Sequence, residues 1–216
     1  MTRNFSAPRQ RWAVSRIRRP GWALAGLAGG MLLLAACATA PEDRYFRVDP
    51  ALPAPTAEAP LSVTLGVARV AAPEPYRQER IIYRTSPHEV QLYGSDRWES
   101  SPVDMVGQAL LDRLRRSGLF RRVVAWQRGE ADVRLEVRLR RFEEVDEADG
   151  WYGVVELEYE VVDGDGKSLL HGVSDQRVRA ESRSVEGVVR ALSRGLAVSL
   201  DEVTVQTAAA IKAARR

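Results

Sequence analysis

The sequence predicts an α+β fold, a two-layer sandwich in which a mostly antiparallel sheet carries two helices packed on one face. Two segments, 131–140 and 155–161, alternate aliphatic with charged residues, which indicates strands with one buried and one wet face. Two other segments, after Ser101 and after Ser184, carry apolar residues at helical spacing. Because each of these elements has one apolar side, sheet and helices are expected to bury those sides against each other.

The N-terminus is typical of a bacterial lipoprotein signal. Six arginines and no acidic residue precede an apolar run over 22–36, which at 15 residues is shorter than the roughly 20 needed to cross a bilayer. The run ends in Leu-Ala-Ala-Cys, which resembles a lipobox. We therefore expect cleavage before Cys37, the only cysteine, and a covalent N-acyl and S-diacylglycerol lipid on it, with no other cofactor. Since Ala38 is not the aspartate associated with inner-membrane retention, the expected location is the periplasmic face of the outer membrane.

This assignment divides the chain into three parts. Residues 1–36 are the signal peptide, 37–60 are the acylated cysteine and a Pro/Ala-rich tether, and 61–216 are the folded domain. Fully extended, the tether would reach roughly 70 Å. Within it, 45–48 alternates and allows a short edge strand.

Charge and cysteine content exclude some functions once the signal is removed. The remaining chain has 26 basic and 29 acidic residues, a net charge of −3, so the basic character that would favour nucleic-acid binding is lost. With its one cysteine acylated, the domain can form no disulfide and depends on packing.

The first half of the domain reads as strands followed by a helix. Residues 61–67 alternate as a half-buried strand, and 80–84 and 89–93 form a hairpin through 85–88. Ser101 then caps a helix that continues with Pro102 and Asp104 and ends at Gly118. Its apolar stripe consists of Val103, Val106, Leu110 and Leu114.

The second half reads as strands followed by a long helix. A short strand over 122–126 precedes the two alternating strands, and Asp163-Gly164-Asp165-Gly166 turns the chain into a strand over 167–178. Ser184 caps the last helix. Its predicted buried residues are Val185, Val188, Val189, Leu192, Leu196, Leu200 and Val203.

Signatures of catalysis are missing from the sequence. His88 and His171 have no cysteine or acidic partner at metal-ligand spacing, so both are interpreted as structural. The acidic run 143–147 is interpreted as a solvated loop, and 163–166 as a hairpin turn because it lacks the later ligands of a calcium loop. The expectation is a protein that is not an enzyme and has no catalytic or metal-binding residue.

The stretch 76–102, YRQERIIYRTSPHEVQLYGSDRWESSP, resembles the ABC-type transport auxiliary lipoproteins, the PqiC-like family that accompanies MCE (mammalian cell entry) proteins. The order of lipobox, short strands, a hairpin rich in tyrosine and arginine, Arg-Trp and a capped helix is similar to that of the family. The later segments 117–120, 131–133 and 141–143 also fit.

The resemblance implies a non-enzymatic outer-membrane component of a lipid transport system. Its partners would be an MCE-domain protein with its ABC permease and ATPase, and the membrane through the anchor; nucleic acid is not expected, and a homo-oligomer is allowed. Tyrosine, arginine and tryptophan supply most interface energy, so the hairpin holds the candidate partner contacts. These are Tyr76, Arg80, Tyr83, Arg84, Tyr93, Arg97 and Trp98.

Two other functions remain open at this point. One is an accessory lipoprotein of another envelope-assembly or secretion machine, which would have the same anchor and a similar domain. The other is a periplasmic lipid-binding carrier, which requires an apolar cavity of several hundred cubic ångströms.

Overall fold

A computed structural model describes residues 42–52 and 59–216, in which eight strands form one sheet. The strands are β1 Arg44–Phe46, β2 Leu61–Val67, β3 Arg80–Ser86, β4 Glu89–Trp98, β5 Phe120–Ala125, β6 Val133–Glu147, β7 Gly150–Asp163 and β8 Ser168–Arg179. The helices are α1 Pro102–Ser117 and α2 Val185–Ala214, and a short 3-10 turn lies at Glu74–Arg77.

The long strand β6 organises the sheet. On one side β7 pairs with it antiparallel along its whole length, and β8 pairs antiparallel with β7. The other side is shared: β2 pairs parallel with the first part of β6 and β3 pairs parallel with its last part. Strand β5 flanks β2, while β4 and then β1 flank β3. The predicted α+β class with a mostly antiparallel sheet is confirmed.

Both helices bury their apolar stripes as predicted. Helix α2 packs on β7 and β8, and α1 packs beside β5 and against α2. Every predicted stripe residue of the two helices is buried, and α2 continues through the Ala-rich tail to Ala214.

The helix ends follow the local signals in the sequence. The amide of Asp104 donates to the Ser101 Oγ at 3.3 Å, and the Ser101 hydroxyl donates to the Asp104 carboxylate at 2.7 Å. The amide of Gly187 donates to the Ser184 Oγ at 3.1 Å. Helix α1 ends at Gly118, whose φ of 69° lies in the left-handed region that glycine adopts without strain.

Strands β6 and β7 are longer than predicted, and β6 contains a bulge. The register with β7 shifts between Leu139 and Arg141, so that Leu139 and Phe142 both face inward. Beyond the bulge β6 continues to Glu147, through the segment predicted as a solvated acidic loop.

Part of the predicted tether belongs to the folded unit. Strand β1 pairs parallel with the end of β4, and the Asp49 amide donates to the Ser193 Oγ of α2 at 3.1 Å. The buried Arg113 of α1 donates to the Ala51 carbonyl. The packed chain therefore begins at Glu42 rather than at the predicted boundary of 61.

None of the helices in the described residues is long and apolar enough to span a bilayer. Cys37 and the predicted signal lie outside the described residues.

Candidate functional site

The hairpin β3–β4 holds most of the residues predicted to contact a partner. Its strands pair with Arg80 opposite Arg97 and Tyr83 opposite Gln91, and its turn is at Pro87-His88. The predicted hairpin is confirmed, with strands that extend farther than expected. Because Tyr83 and Arg84 pair with Glu144 and Val145 of β6, the hairpin lies against the part of β6 beyond the bulge.

Glu143 of β6 is a buried carboxylate that accepts hydrogen bonds from three side chains. Its Oε2 accepts from the Tyr76 hydroxyl at 2.7 Å and from the Arg84 Nε at 2.9 Å. Its Oε1 accepts from the Arg141 Nε at 3.0 Å. Burial, and then the charge of Glu143, raise the pKa of Tyr76, which therefore stays protonated and donates. The two guanidinium groups and this phenol balance a carboxylate that would otherwise be costly to bury.

Glu144 is buried on the opposite face of β6, since neighbouring residues of a strand alternate. The Tyr93 hydroxyl lies 3.0 Å from both of its carboxylate oxygens, and the Tyr93 ring packs on that of Tyr83 with centroids 4.9 Å apart. Burial, and then the neighbouring carboxylate of Asp146, raise the pKa of Glu144 to about 8. At neutral pH the Glu144 carboxyl is therefore largely protonated. Its proton can be donated to Asp146, whose buried Oδ1 has no other partner among the described residues.

Arg80 and Arg97 lie directly opposite each other at the base of the hairpin, where like charges disfavour pairing. Arg97 is balanced by Asp43, with its Nε 2.8 Å from the Asp43 carboxylate. Among the residues that the structure describes, Arg80 donates to the Tyr93 carbonyl at 3.5 Å and forms no ion pair. Both arginines are partly exposed.

Two of the predicted contact residues are buried within this chain. Trp98 packs its ring on Phe142, with centroids 5.5 Å apart, and Tyr76 is covered where it meets Glu143. Trp98 and Tyr76 are therefore too deeply buried to contact a partner at the surface. The residues that remain available to a partner are Arg80, Tyr83, Arg84, Tyr93 and Arg97.

The interpretation of the acidic run as a solvated loop is wrong for Glu143 and Glu144, which the structure places under the hairpin. Apart from Arg141, the side chains that bond to them come from 51 to 67 positions earlier in the chain. No local pattern marks such partners. The one available signal is that the hairpin is rich in tyrosine and arginine, the side chains that can bond to buried carboxylates.

The second histidine and the Asp-Gly turn have structural positions. His171 in β8 lies 3.2 Å from the Glu158 carboxylate on the wet face, where Arg140 also approaches Glu158. The amides of Asp165 and Lys167 donate to the Asp163 carboxylate, which forms the predicted hairpin turn. Within 42–52 and 59–216 no three His, Cys, Asp or Glu side chains are grouped so as to hold a metal ion.

A groove of about 530 Å³ runs between residues 47–52 and α1. Its wall carries four carboxylates, those of Asp49, Glu99, Asp104 and Asp112. Such a wall is unfavourable for acyl chains, so this groove does not support the lipid-carrier alternative.

Comparison with known proteins gives one family match. The family model described as ABC-type transport auxiliary lipoprotein component matches residues 47–204. No match was found among curated proteins.

Solved structures share the fold at low sequence identity. Protein XCC0632 from Xanthomonas campestris, of the family DUF330, is 20% identical with a TM-score of 0.72, over 80% of this chain and 99% of that one. A second solved structure, of an uncharacterised protein, is also 20% identical, with a TM-score of 0.60 over 76% of this chain and 98% of its own. These likenesses agree on the fold.

Proposed function

The chain belongs to the family of ABC-type transport auxiliary lipoprotein components, and on that premise we propose that it is a non-enzymatic outer-membrane lipoprotein of an MCE-type lipid transport system. In this proposal, acyl chains on Cys37 hold it to the periplasmic face of the outer membrane, and the domain docks the periplasmic MCE conduit there.

The anchor is supported by the lipobox-like sequence before the chain's one cysteine. Two or more acyl chains make membrane attachment stable, at about 0.8 kcal/mol for each buried methylene. The test is palmitate labelling and membrane fractionation of the wild type and of Cys37→Ser. We expect labelling and sedimentation with the outer membrane for the wild type, and an unlabelled, uncleaved chain for the variant. A wild type that incorporates no palmitate would contradict the anchor.

The docking surface is supported most by the Arg80–Arg97 pair. Two like charges at directly opposed strand positions are unfavourable within the free protein, and of the two arginines only Arg97 has a carboxylate partner among the described residues. A partner carboxylate placed there would relieve the repulsion, and arginine and tyrosine are the residues that most often contribute binding energy at interfaces. We therefore assign Arg80 and Arg97, with Tyr83 beside them on the hairpin, to contact with the MCE protein.

Co-purification of the MCE protein with Arg80→Ala and Arg97→Ala variants tests this contact. Each substitution should weaken capture about tenfold or more, since removing an interface arginine commonly costs above about 1.4 kcal/mol. Arg190→Ala is the matched control, because Arg190 is an exposed arginine of α2 paired with Glu181 at 3.7 Å. Equal capture by all three folded variants would refute the docking surface. Capture of a secretion or lipopolysaccharide-export machine in place of an MCE protein would refute the choice of partner.

A further inference from the structure

We propose that the tip of the β3–β4 hairpin, residues 85–92, contacts the membrane leaflet that holds the lipid anchor. The inference rests on the proposed acylation of Cys37 and adds a second attachment, made by the folded domain itself.

The chain enters β1 from the hairpin side of the domain. Strand β1 is parallel to β4, with Arg44 opposite Asp96 and Phe46 opposite Trp98. In a parallel pair the chain before β1 therefore approaches from the side on which β4 begins, and β4 begins at the hairpin turn. The described chain therefore enters β1, through Glu42 and Asp43, from the direction of the hairpin tip.

The connection from Cys37 to Arg44 has the same number of residues as the part of β4 from Glu89 to Asp96. Arg44 is seven positions after Cys37, and Asp96, the register partner of Arg44, is seven positions after Glu89. Seven extended residues span at most about 25 Å, and seven residues of strand span about 23 Å. An acylated residue 37 can therefore be no farther from β1 than about one hairpin length.

The surface of the tip fits a lipid leaflet. Val90 and Leu92 alternate on one side of β4 and are 46% and 44% exposed, although both are large aliphatic residues. Pro87 at the turn is exposed as well. Transfer of these side chains out of water is favourable, and an anchor on so short a connection would keep the domain close to the leaflet. The Arg80–Arg97 pair is eight residues farther along β4 from Glu89, about 26 Å, and so stays clear of the leaflet for a protein partner.

The experiment uses the mature, acylated protein in phosphatidylethanolamine and phosphatidylglycerol vesicles that contain a doxyl-labelled phospholipid. Val90→Cys and Leu92→Cys are each labelled with an environment-sensitive nitrobenzoxadiazole dye. The acylated Cys37 thiol cannot react, so the label is site-specific. The control is Val205→Cys, since Val205 is an aliphatic residue of α2 that is 59% exposed. It lies about 28 Å along α2 from Glu186, the residue that pairs with Arg44 of β1.

We expect blue-shifted emission and about twofold quenching by the doxyl lipid at positions 90 and 92, with neither effect at 205, because only the tip would lie among lipid chains. Equal, unquenched emission at all three positions in protein that floats with the vesicles overturns the inference and leaves the anchor intact. A blue shift without doxyl quenching overturns it in favour of a protein contact at the tip. Mature protein whose mass shows no acyl chains, and which fails to float, overturns the anchor and the inference together.

Discussion

The Glu143 carboxylate is buried in the sheet, so the surrounding side chains must balance its charge. The hydrogen bond from Arg84 is the one charged contact that the hairpin supplies to it, and it raises the pKa of Arg84 above its ordinary value. Removing Arg84 would leave the carboxylate with Arg141 and Tyr76 only.

Arg84→Ala should therefore destabilise the domain by about 2 kcal/mol, because a buried charge loses one of its two cationic partners. Urea denaturation followed by circular dichroism measures this loss. Arg97→Ala is the comparison, since the Arg97–Asp43 ion pair is exposed to solvent and is expected to contribute little to stability. Similar losses for the two variants would show that Glu143 does not depend on Arg84.

Glu144 should make the domain less stable as the pH rises. Its pKa is raised to about 8 in the folded protein from an ordinary value near 4.5. Between these values the unfolded chain releases the proton while the folded chain retains it, so stability is full below the lower pKa and falls as the pH approaches 8. Glu144→Gln keeps the shape and the hydrogen bonds of the neutral form.

The free energy of unfolding of Glu144→Gln should therefore change less with pH than that of the wild type. A tenfold difference in proton affinity between the folded and unfolded chain corresponds to about 1.4 kcal/mol. Urea denaturation at pH 5 and pH 8 should show a decline smaller by at least that amount. Glu147→Gln is the control, as an exposed carboxylate of the same strand paired with Arg177, and it should retain the wild-type decline. If Glu144→Gln declined as steeply as the wild type, Glu144 would not be the group that titrates.

At the scale of elements, α2 approaches β7 so closely at Gly153 that no side chain fits. A Cβ at this position would lie 2.7 Å from the Leu192 amide nitrogen and 3.1 Å from the Ala191 carbonyl carbon. These are backbone atoms of a packed helix, so they cannot move aside without displacing α2.

Gly153→Ala should cost about 3 kcal/mol, measured by thermal or urea denaturation, because overpacking against backbone strains the helix contact. Gly107→Ala in α1 is the matched control. Its Cβ would meet only the Val70 Cγ2 at 3.6 Å, and alanine in a helix interior is more favourable than glycine by roughly 0.5–1 kcal/mol. We expect Gly153→Ala to lower the free energy of unfolding and Gly107→Ala to raise it. An unchanged free energy in Gly153→Ala would mean that α2 shifts easily on the sheet.

Elements specified by neighbouring residues were predictable from the sequence. The Ser101 and Ser184 caps, the Gly118 terminus and the turn at 163–166 each depend on side chains within a few positions, and all four are confirmed. The strand over 61–67 is confirmed as well, since period-two alternation is a local property, but residues 63–67 are all buried where one wet face was expected. The strand over 80–84 is also confirmed.

The bulge and the buried carboxylates were not predictable in the same way. A bulge adds one residue without any composition signal, and it shifts every later side chain of β6 to the other face. Glu143 and Glu144 then meet Tyr76, Arg84 and Tyr93 from distant segments. Alternation alone cannot show which charges will find such partners.

At the scale of the whole molecule, the docked segment 42–52 determines how far the domain can lie from its proposed anchor. Were these residues free, the connection over 37–60 could extend roughly 70 Å. With β1 paired to β4, only the seven-residue connection to Arg44 remains, at most about 25 Å. Arg113 is central to this docking. It is 1% exposed and bridges the Ala51 carbonyl to Asp201 of α2.

Arg113→Met should loosen the docked segment more than it destabilises the domain. Methionine is similar in volume, and the Asp201 carboxylate that loses its partner is 54% exposed and stays hydrated, so the free energy of unfolding should change little. The Ala51 carbonyl, however, loses its donor, so the segment should open more often. Hydrogen exchange of the amides at 44–50 should accelerate about tenfold, the equivalent of about 1.4 kcal/mol of local opening, while exchange in β6 and β7 stays slow. Arg116 is exposed in the last turn of the same helix, so Arg116→Met should leave exchange at 44–50 and exchange in β6 and β7 unchanged. Unaltered exchange at 44–50 in Arg113→Met would mean that the β1–β4 pairing alone keeps the domain within one hairpin length of its acylated end.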